Sequence, residues 1–296
     1  MILKQTSLLG VFLIVLSLIP ALAFSDDVEI EALKVTDQIY MIAGQGGNIG
    51  LFLGEDGTFL IDDQFAPLTE KILEAIKSVG GQHPRFLINT HYHGDHTGGN
   101  EKIGQGGTLI VSHDNVRERL ISGAYIGAFK MKLPPVSKAG LPVVTFSKNI
   151  KFHINGDTVM VKHVPHAHTD GDSFIYFQDA NVIHAGDLFF NGFYPFIDVN
   201  HGGSLKGMIK GLDKILRIAD DQTKIISGHG PLGDRQQLAS YRQMLGVAYE
   251  RLRTLKAEGK TAEEAAAAKP LDDLEATWGD GLFKSDQWIQ LIYSGV

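Results

Sequence analysis

The chain has 296 residues, 44% of them hydrophobic, and a formal charge of −7 at neutral pH. That supplies a core for one large domain or two smaller ones, and the acidic balance argues against nucleic acid as a partner. No cysteine is present, which excludes a disulfide framework, a thiolate ligand and a thiol nucleophile and leaves histidine and carboxylate to hold any metal.

In chain order, the opening segment "MILKQTSLLGVFLIVLSLIPALAFSDD" carries Lys4, an apolar stretch from Leu8 to Ile19, and "ALA" before two acids. It predicts a secretory signal peptide over residues 1–23, with the working domain over 24–296 in the periplasm or outside the cell. The apolar run is shorter than the ~20 residues that span a bilayer, so no stable membrane anchor is expected after cleavage.

"IYMIAG", "IGLFLG" and "TFLIDD", separated by "GQGGN" and "EDG", read as an antiparallel meander. "APLTEKILEAIKSVGG" places Leu68, Ile72, Ile76 and Val79 at helical spacing, and the strand "RFLINT" follows. A second round repeats the plan: strand "TLIVS", helix "HDNVRERLISG", then strands in "PVVTF", "IKFHI", "DTVMVKHV", "SFIYF" and "NVIHAGD". Helices are predicted over 204–219 and from Arg235 to Gly259, with strand "KIISGHG" between them and small helices after Pro270. Runs of sheet with helices outside them predict an α/β, four-layer αββα sandwich.

"NTHYHGDHTGGN", residues 89–100, places His91, His93, Asp95 and His96 within six positions. In an extended loop, His91 and His93 point the same way and can share one ion. Gly94 lets the chain turn, so that Asp95 and His96 reach a second. "PHAHTDGDSF", "HAGDLF" and "SGHG" each add a histidine or aspartate at a strand end.

On these motifs the chain resembles the metallo-β-lactamase fold superfamily, over nearly all of residues 24–296. The resemblance implies one zinc held by His91, His93 and His168, a second held by Asp95, His96 and His229, and Asp187 bridging them. It gives Asp62 the task of bracing the histidine loop, with Asp63 as competitor. His163, His166 and His184 receive no ligand role, and an apolar strand around His184 predicts a hydrogen-bonded core histidine. His201 either lines the mouth of the site or simply precedes a helix cap at Ser204.

The chemistry so implied is hydrolysis of a small-molecule substrate by a zinc-held hydroxide, with Asp95 as the catalytic carboxylate that holds and orients it. "HTDGDSFIYF" resembles exported β-lactamases more than glyoxalase II. Against that, the lactamases with a cysteine ligand have it where this chain has Asp187, and their substrate-binding lysine falls where Phe190 stands. The missing cation removes a charge-assisted contact worth about 1.5–3 kcal/mol, so β-lactam hydrolysis is expected to be weak. Lactone, ester or thioester hydrolysis is the alternative within the fold, and iron-dependent redox chemistry of the persulfide dioxygenase kind the alternative outside hydrolysis. "AYIGAFKMKLPPVSKAGLPV" (124–143) reads either as a pocket wall or as a packed connection, and Phe190, Phe193, Tyr194 and Phe196 as an apolar pocket floor.

Overall fold

The computed structural model describes residues 28–296; the predicted signal peptide lies outside them. Two mixed sheets face each other with helices on both outer sides, the expected αββα sandwich. The first half contains β1 (Glu31–Lys34), β2 (Ile39–Ala43), β3 (Ile49–Gly54), β4 (Gly57–Ile61), α1 (Thr69–Ser78), β5 (Phe86–Ile88), α2 (Gly94–Thr97), α3 (Asn100–Gln105), β6 (Leu109–His113), α4 (Asp114–Ser122), the hairpin β7 (Ala124–Ile126) and β8 (Met131–Leu133), and β9 (Val144–Phe146). The second half contains β10 (Asn149–Ile154), β11 (Asp157–His163), β12 (Ser173–Phe177), β13 (Val182–His184), α5 (Leu205–Leu216), β14 (Lys224–Ile226), β15 (Gly233–Asp234), α6 (Arg235–Ala257), α7 (Ala262–Ala267), α8 (Asp272–Trp278) and α9 (Ser285–Ile292). β1 to β6 and β9 form the first sheet, and β10 to β15 the second. No helix among the described residues is long and apolar enough to cross a membrane.

Alternation along the strands builds the layers. In β4, Phe59 and Ile61 enter the core between the sheets, where they join Val159, Val161, Ile175 and Phe177, while Leu60 between them turns outward to Ile72 and Ile76 of α1. Phe52 meets Phe177 edge to face across the seam, with centroids 5.2 Å apart, a favoured aromatic geometry. The segments missed in the sequence include β1, the single turn α2, α3, the β7–β8 hairpin and β15. They are short, and β1 is largely exposed, so it lacks an apolar rhythm to read.

β4, β5, β13 and β14 all end on one edge of the sandwich, and antiparallel β12 begins there. The loops at that edge cross the seam. Asn48 N–H donates to Gly228 O (2.7 Å), Ser173 N–H donates to Thr90 O (2.8 Å), and the Asn48 amide donates to Ser227 O and Gly230 O. His184 is the predicted core histidine: Nε2–H donates to Asn48 O (3.0 Å) and Nδ1 accepts from Gly186 N–H.

Away from this edge, His113 and His163 stack at 3.6 Å and 13°. His113 Nδ1 caps α4 through Asn115 N–H, and His163 Nδ1–H donates to Asp172 O. Burial lowers both pKa values, that of His163 to about 4. An unfolded histidine titrates near ~6.5, so below that pH the unfolded chain binds more protons and stability is lost as pH falls toward 4. Urea unfolding between pH 7 and 4 should show this decline, and the slope should be shallower in His163→Gln.

Candidate metal centre

The histidine motif begins and ends on a reciprocal amide pair. Asn89 and Asn100 donate to each other at 2.9 Å in both directions, closing the loop that holds His91, His93, Asp95 and His96. Beyond His93 the chain turns at Gly94, as the sequence suggested. It makes one helical turn, α2, with His96 N–H donating to His93 O. That turn sets the His96 ring 4.2 Å from that of His91 and gathers Asp95 and His96 with His229.

All seven predicted ligands meet at this edge. Donor atoms of His91, His93, His168 and Asp187 lie within 4.8 Å of one another, as do those of Asp95, His96 and His229. Asp187 joins the two groups: its Oδ2 is 3.3 Å from His168 Nε2 and 3.7 Å from His91 Nε2, and its Oδ1 is 3.1 Å from His96 Nε2 and 3.4 Å from His229 Nε2.

The outer nitrogens of the imidazoles have acceptors that fix their tautomers. Asp62 accepts from Thr90 N–H and from Thr90 Oγ1–H, each at 2.7 Å, and from His96 Nδ1–H at 2.8 Å. With its proton given to Asp62, Thr90 Oγ1 accepts from His91 Nδ1–H at 3.0 Å. His168 Nδ1–H donates to Phe196 O (2.8 Å), and His93 Nε2–H to Asp198 (3.1 Å). Lone pairs are thus left on His91 Nε2, His93 Nδ1 and His168 Nε2. His93 Nδ1 lies 3.0 Å from the first of its partners and 2.9 Å from the second. Three buried acceptors this close repel unless a cation sits among them, and Asp187 Oδ1, buried without a hydrogen-bond donor, points into the neighbouring group. The donor set fits a pair of metal ions with nitrogen and oxygen ligands.

Electrostatics separate the two groups. Burial holds His91 well below the usual imidazole range and lowers His168 to about 4, so these two ligands are neutral imidazoles. In the second group burial opposes charge, but Asp187 and Asp95 outweigh it and raise His96 strongly and His229 to about 9. In return, neighbouring imidazoles overcome burial and hold the carboxyls of Asp95 and Asp187 below their ordinary range.

Asp62, rather than Asp63, holds the imidazoles; Asp63 holds the motif's backbone, accepting from Gly99 N–H (2.9 Å) and donating its own N–H to His96 O (3.0 Å). His201 precedes the Ser204 cap of α5, one of the two places its sequence position suggested, and is also tied to the centre. It donates from Nδ1 to Asp198 (2.8 Å), the carboxylate that also receives Tyr92 Oη–H and His93 Nε2–H, while Ser204 caps α5. Asp198 and Tyr92 were not identified in the sequence. The available signal was one acid inside the apolar run "FYPFIDV", which needs a partner when buried. His163 and His166 stand outside both groups. Of the predicted floor, Phe190 stacks on His229 (5.1 Å, 22°) and Phe196 reaches His93 and His168. Tyr194 instead stacks on Trp288 at 4.6 Å in the helical layer, because the segment is not a strand: the chain turns at Asn191–Gly192, with Gly192 at φ 107°, after Phe190.

Two glycines press on the ligands. A Cβ on Gly47 would lie 2.1 Å from the His96 ring, and one on Gly228 would lie 2.2 Å from Asp187 Oδ1. The "GQGGN" turn therefore packs against the centre.

Residues 43–230 match the sequence profile of the Metallo-beta-lactamase superfamily. The chain is 24% identical over 229 residues to a Beta-lactamase-like protein 2 homolog of Caenorhabditis elegans, covering 73% of this chain and 68% of that one. Among solved structures it is similar to a metallo-beta-lactamase from Pontibacter korlensis (TM-score 0.60, 18% identity, 74% of this chain and 99% of that one). It is also similar to the stereoselective inverting sec-alkylsulfatase Pisa1 from Pseudomonas sp. (TM-score 0.67, 18% identity), covering 90% of this chain and 50% of that one.

Asp62→Asn should weaken metal affinity roughly 10- to 100-fold in a competitive chelator titration, the usual cost of losing a group that orients a ligand. Gly228→Ala should do the same, because its Cβ would meet both Asp187 Oδ1 at 2.2 Å and the Gly186 backbone at 2.6 Å and so displace the segment that carries Asp187.

Proposed function

We propose, from the premise that the chain belongs to the Metallo-beta-lactamase superfamily and is a metal-dependent hydrolase, that it uses two zinc ions to hydrolyse a neutral carboxylic ester or lactone, with β-lactams as poor substrates. The observation that carries the reading is the bridge: one carboxylate, Asp187, turns an oxygen to each of two histidine groups. Imidazole nitrogen with carboxylate oxygen, and no sulfur, suits zinc. When bound, such ions act as Lewis acids and bring a bound water toward a pKa of ~7.

The residues divide the remaining work. Asp187, 4% exposed, is the structural bridge, whereas Asp95, 25% exposed, is the carboxylate that faces incoming substrate. Its Oδ2 lies 3.4 Å from His229 Nε2 and 3.6 Å from His96 Nε2, which keeps it ionised and a hydrogen-bond acceptor for the attacking water. Asp95 orients that water as its oxygen bonds to the acyl carbon. The acyl carbon–oxygen bond then breaks, and the departing alkoxide receives the water's proton, so acid and alcohol form with no covalent enzyme intermediate. Phe190 stands where cysteine-type lactamases carry the lysine that pairs with the drug carboxylate, and its stacking on His229 gives that position an apolar surface. Neutral substrates therefore suit the site better than β-lactams. On the composition of residues 1–23 we place the mature chain in the periplasm or outside the cell.

Purified protein should contain two zinc ions per chain by plasma mass spectrometry. It should turn over p-nitrophenyl esters or lactones in a chelator-sensitive manner, and nitrocefin far more slowly. Asp95→Ala should lower kcat by about 10²- to 10⁴-fold; unchanged turnover with metal content intact would overturn the role of Asp95. An iron-dominated site would favour the redox alternative.

A further inference from the structure

We infer that an aromatic shelf beside the metal centre binds the apolar acyl chain of the substrate, so that the enzyme selects esters of hydrophobic acids. This rests on the hydrolytic reading above and adds the substrate class to it.

The shelf is continuous from the ligands to solvent. Phe196 is buried with its ring 5.6 Å from His93 and 5.8 Å from His168. Its other neighbours are Phe129, at 5.0 Å, and Phe283, at 6.4 Å, and Phe129 and Phe283 stack on each other at 6.0 Å and 25°. Phe129 comes from the β7–β8 hairpin, which Leu133 seats against Gly94 of the histidine motif. Phe283 comes from the loop between α8 and α9, whose Gly281 packs on Phe193, itself in contact with Phe190.

Phe129 is 44% exposed, and Leu282, between the two packed residues of its loop, is 53% exposed. Large apolar side chains left in water next to a catalytic centre mark a binding surface. The occupant follows from continuity. A chain whose reactive carbonyl lies at the metal centre has Phe196 as its nearest apolar neighbour, and Phe129 and Phe283 lie further along. Ring faces and methylene groups offer no hydrogen-bond partner to a carboxylate, hydroxyl or amide, so the neutral acyl chain that gains most there is alkyl or aryl.

The test uses zinc-loaded protein and two homologous series. One is n-alkyl hydroxamic acids of increasing length, titrated by calorimetry; the other is p-nitrophenyl esters of the matching acids, followed by kcat/KM. Affinity for the hydroxamates should rise roughly two- to fourfold per methylene until the shelf is filled, as expected for methylene burial, and kcat/KM should rise in parallel. Phe129→Ala and Phe283→Ala should each flatten both dependences; Phe129 is on the surface, so its truncation leaves folding intact, and Phe129→Leu should restore part of the slope. Hydroxamate affinity independent of chain length overturns the inference, whatever the turnover. Length-dependent binding without hydrolysis of any ester keeps the shelf and overturns the ester reading. A concentration-dependent dimer that Phe129→Ala dissociates would assign the shelf to a second copy of the chain and overturn the inference.

Discussion

The metal centre depends on one buried carboxylate. Asp62 accepts three hydrogen bonds, from Thr90 N–H, Thr90 Oγ1–H and His96 Nδ1–H, and thereby fixes two imidazoles, His96 directly and His91 through the Thr90 hydroxyl. Its own backbone lies in the left-handed region, φ 62°, as does that of Gln64, φ 56°. Such geometry costs roughly 1–2 kcal/mol in a non-glycine residue, and aspartate tolerates it better than most. The turn it permits carries the chain away from β4 at the point where the carboxylate must face the histidine loop. Local strain is thus accepted for ligand orientation, a trade expected at functional sites and unexpected elsewhere.

Much of this arrangement could be read from residue order. The strand runs of the first half showed in their alternation, and α5 and α6 in their helical period, because each element buries one face in a separate layer. The four residues of the histidine motif were legible for a different reason: polar side chains so dense in a glycine-rich stretch have no element face on which to be sorted. What could not be read was mostly second-order contact. Tyr92, Asp198 and His201 converge from positions up to 109 residues apart, and only the closure of the two sheets makes Asp198 the acceptor for His93. Likewise α2 escaped notice because a single turn of helix has no period, and the course of β7 and β8 is set by contacts with Gly94 and Phe196 rather than by an alternating core face.

The same closure explains why the ligands carry different electrostatic burdens. His91 and His168 are surrounded by other imidazoles and burial dominates, so their protons are driven off. His96 and His229 face the two carboxylates that the fold places opposite them and retain theirs. A cation entering the first group meets ready lone pairs, whereas one entering the second must displace protons. Metal binding is therefore linked to pH through the second group above all.

Ligands reach the centre from both halves of the chain: His91, His93, Asp95 and His96 follow β5, while His168, Asp187 and His229 adjoin β12, β13 and β14. A bound ion is consequently a link across the seam between the sheets, and it stabilises the closed sandwich by about 2.7 kcal/mol when present at a hundred times its dissociation constant. The seam has its own apolar filling, with Ile39, Phe52, Phe59 and Ile61 meeting Val159, Val161, Ile175 and Phe177, and each such side chain contributes about 1.5–3 kcal/mol of burial. Several of these outweigh the ion. The fold therefore rests on the seam, and the ions act on a centre that the sheets have already assembled. That division is what allows the surrounding surface, Phe190 on one side and the Phe129–Phe283 shelf on the other, to change in character without loss of the centre itself.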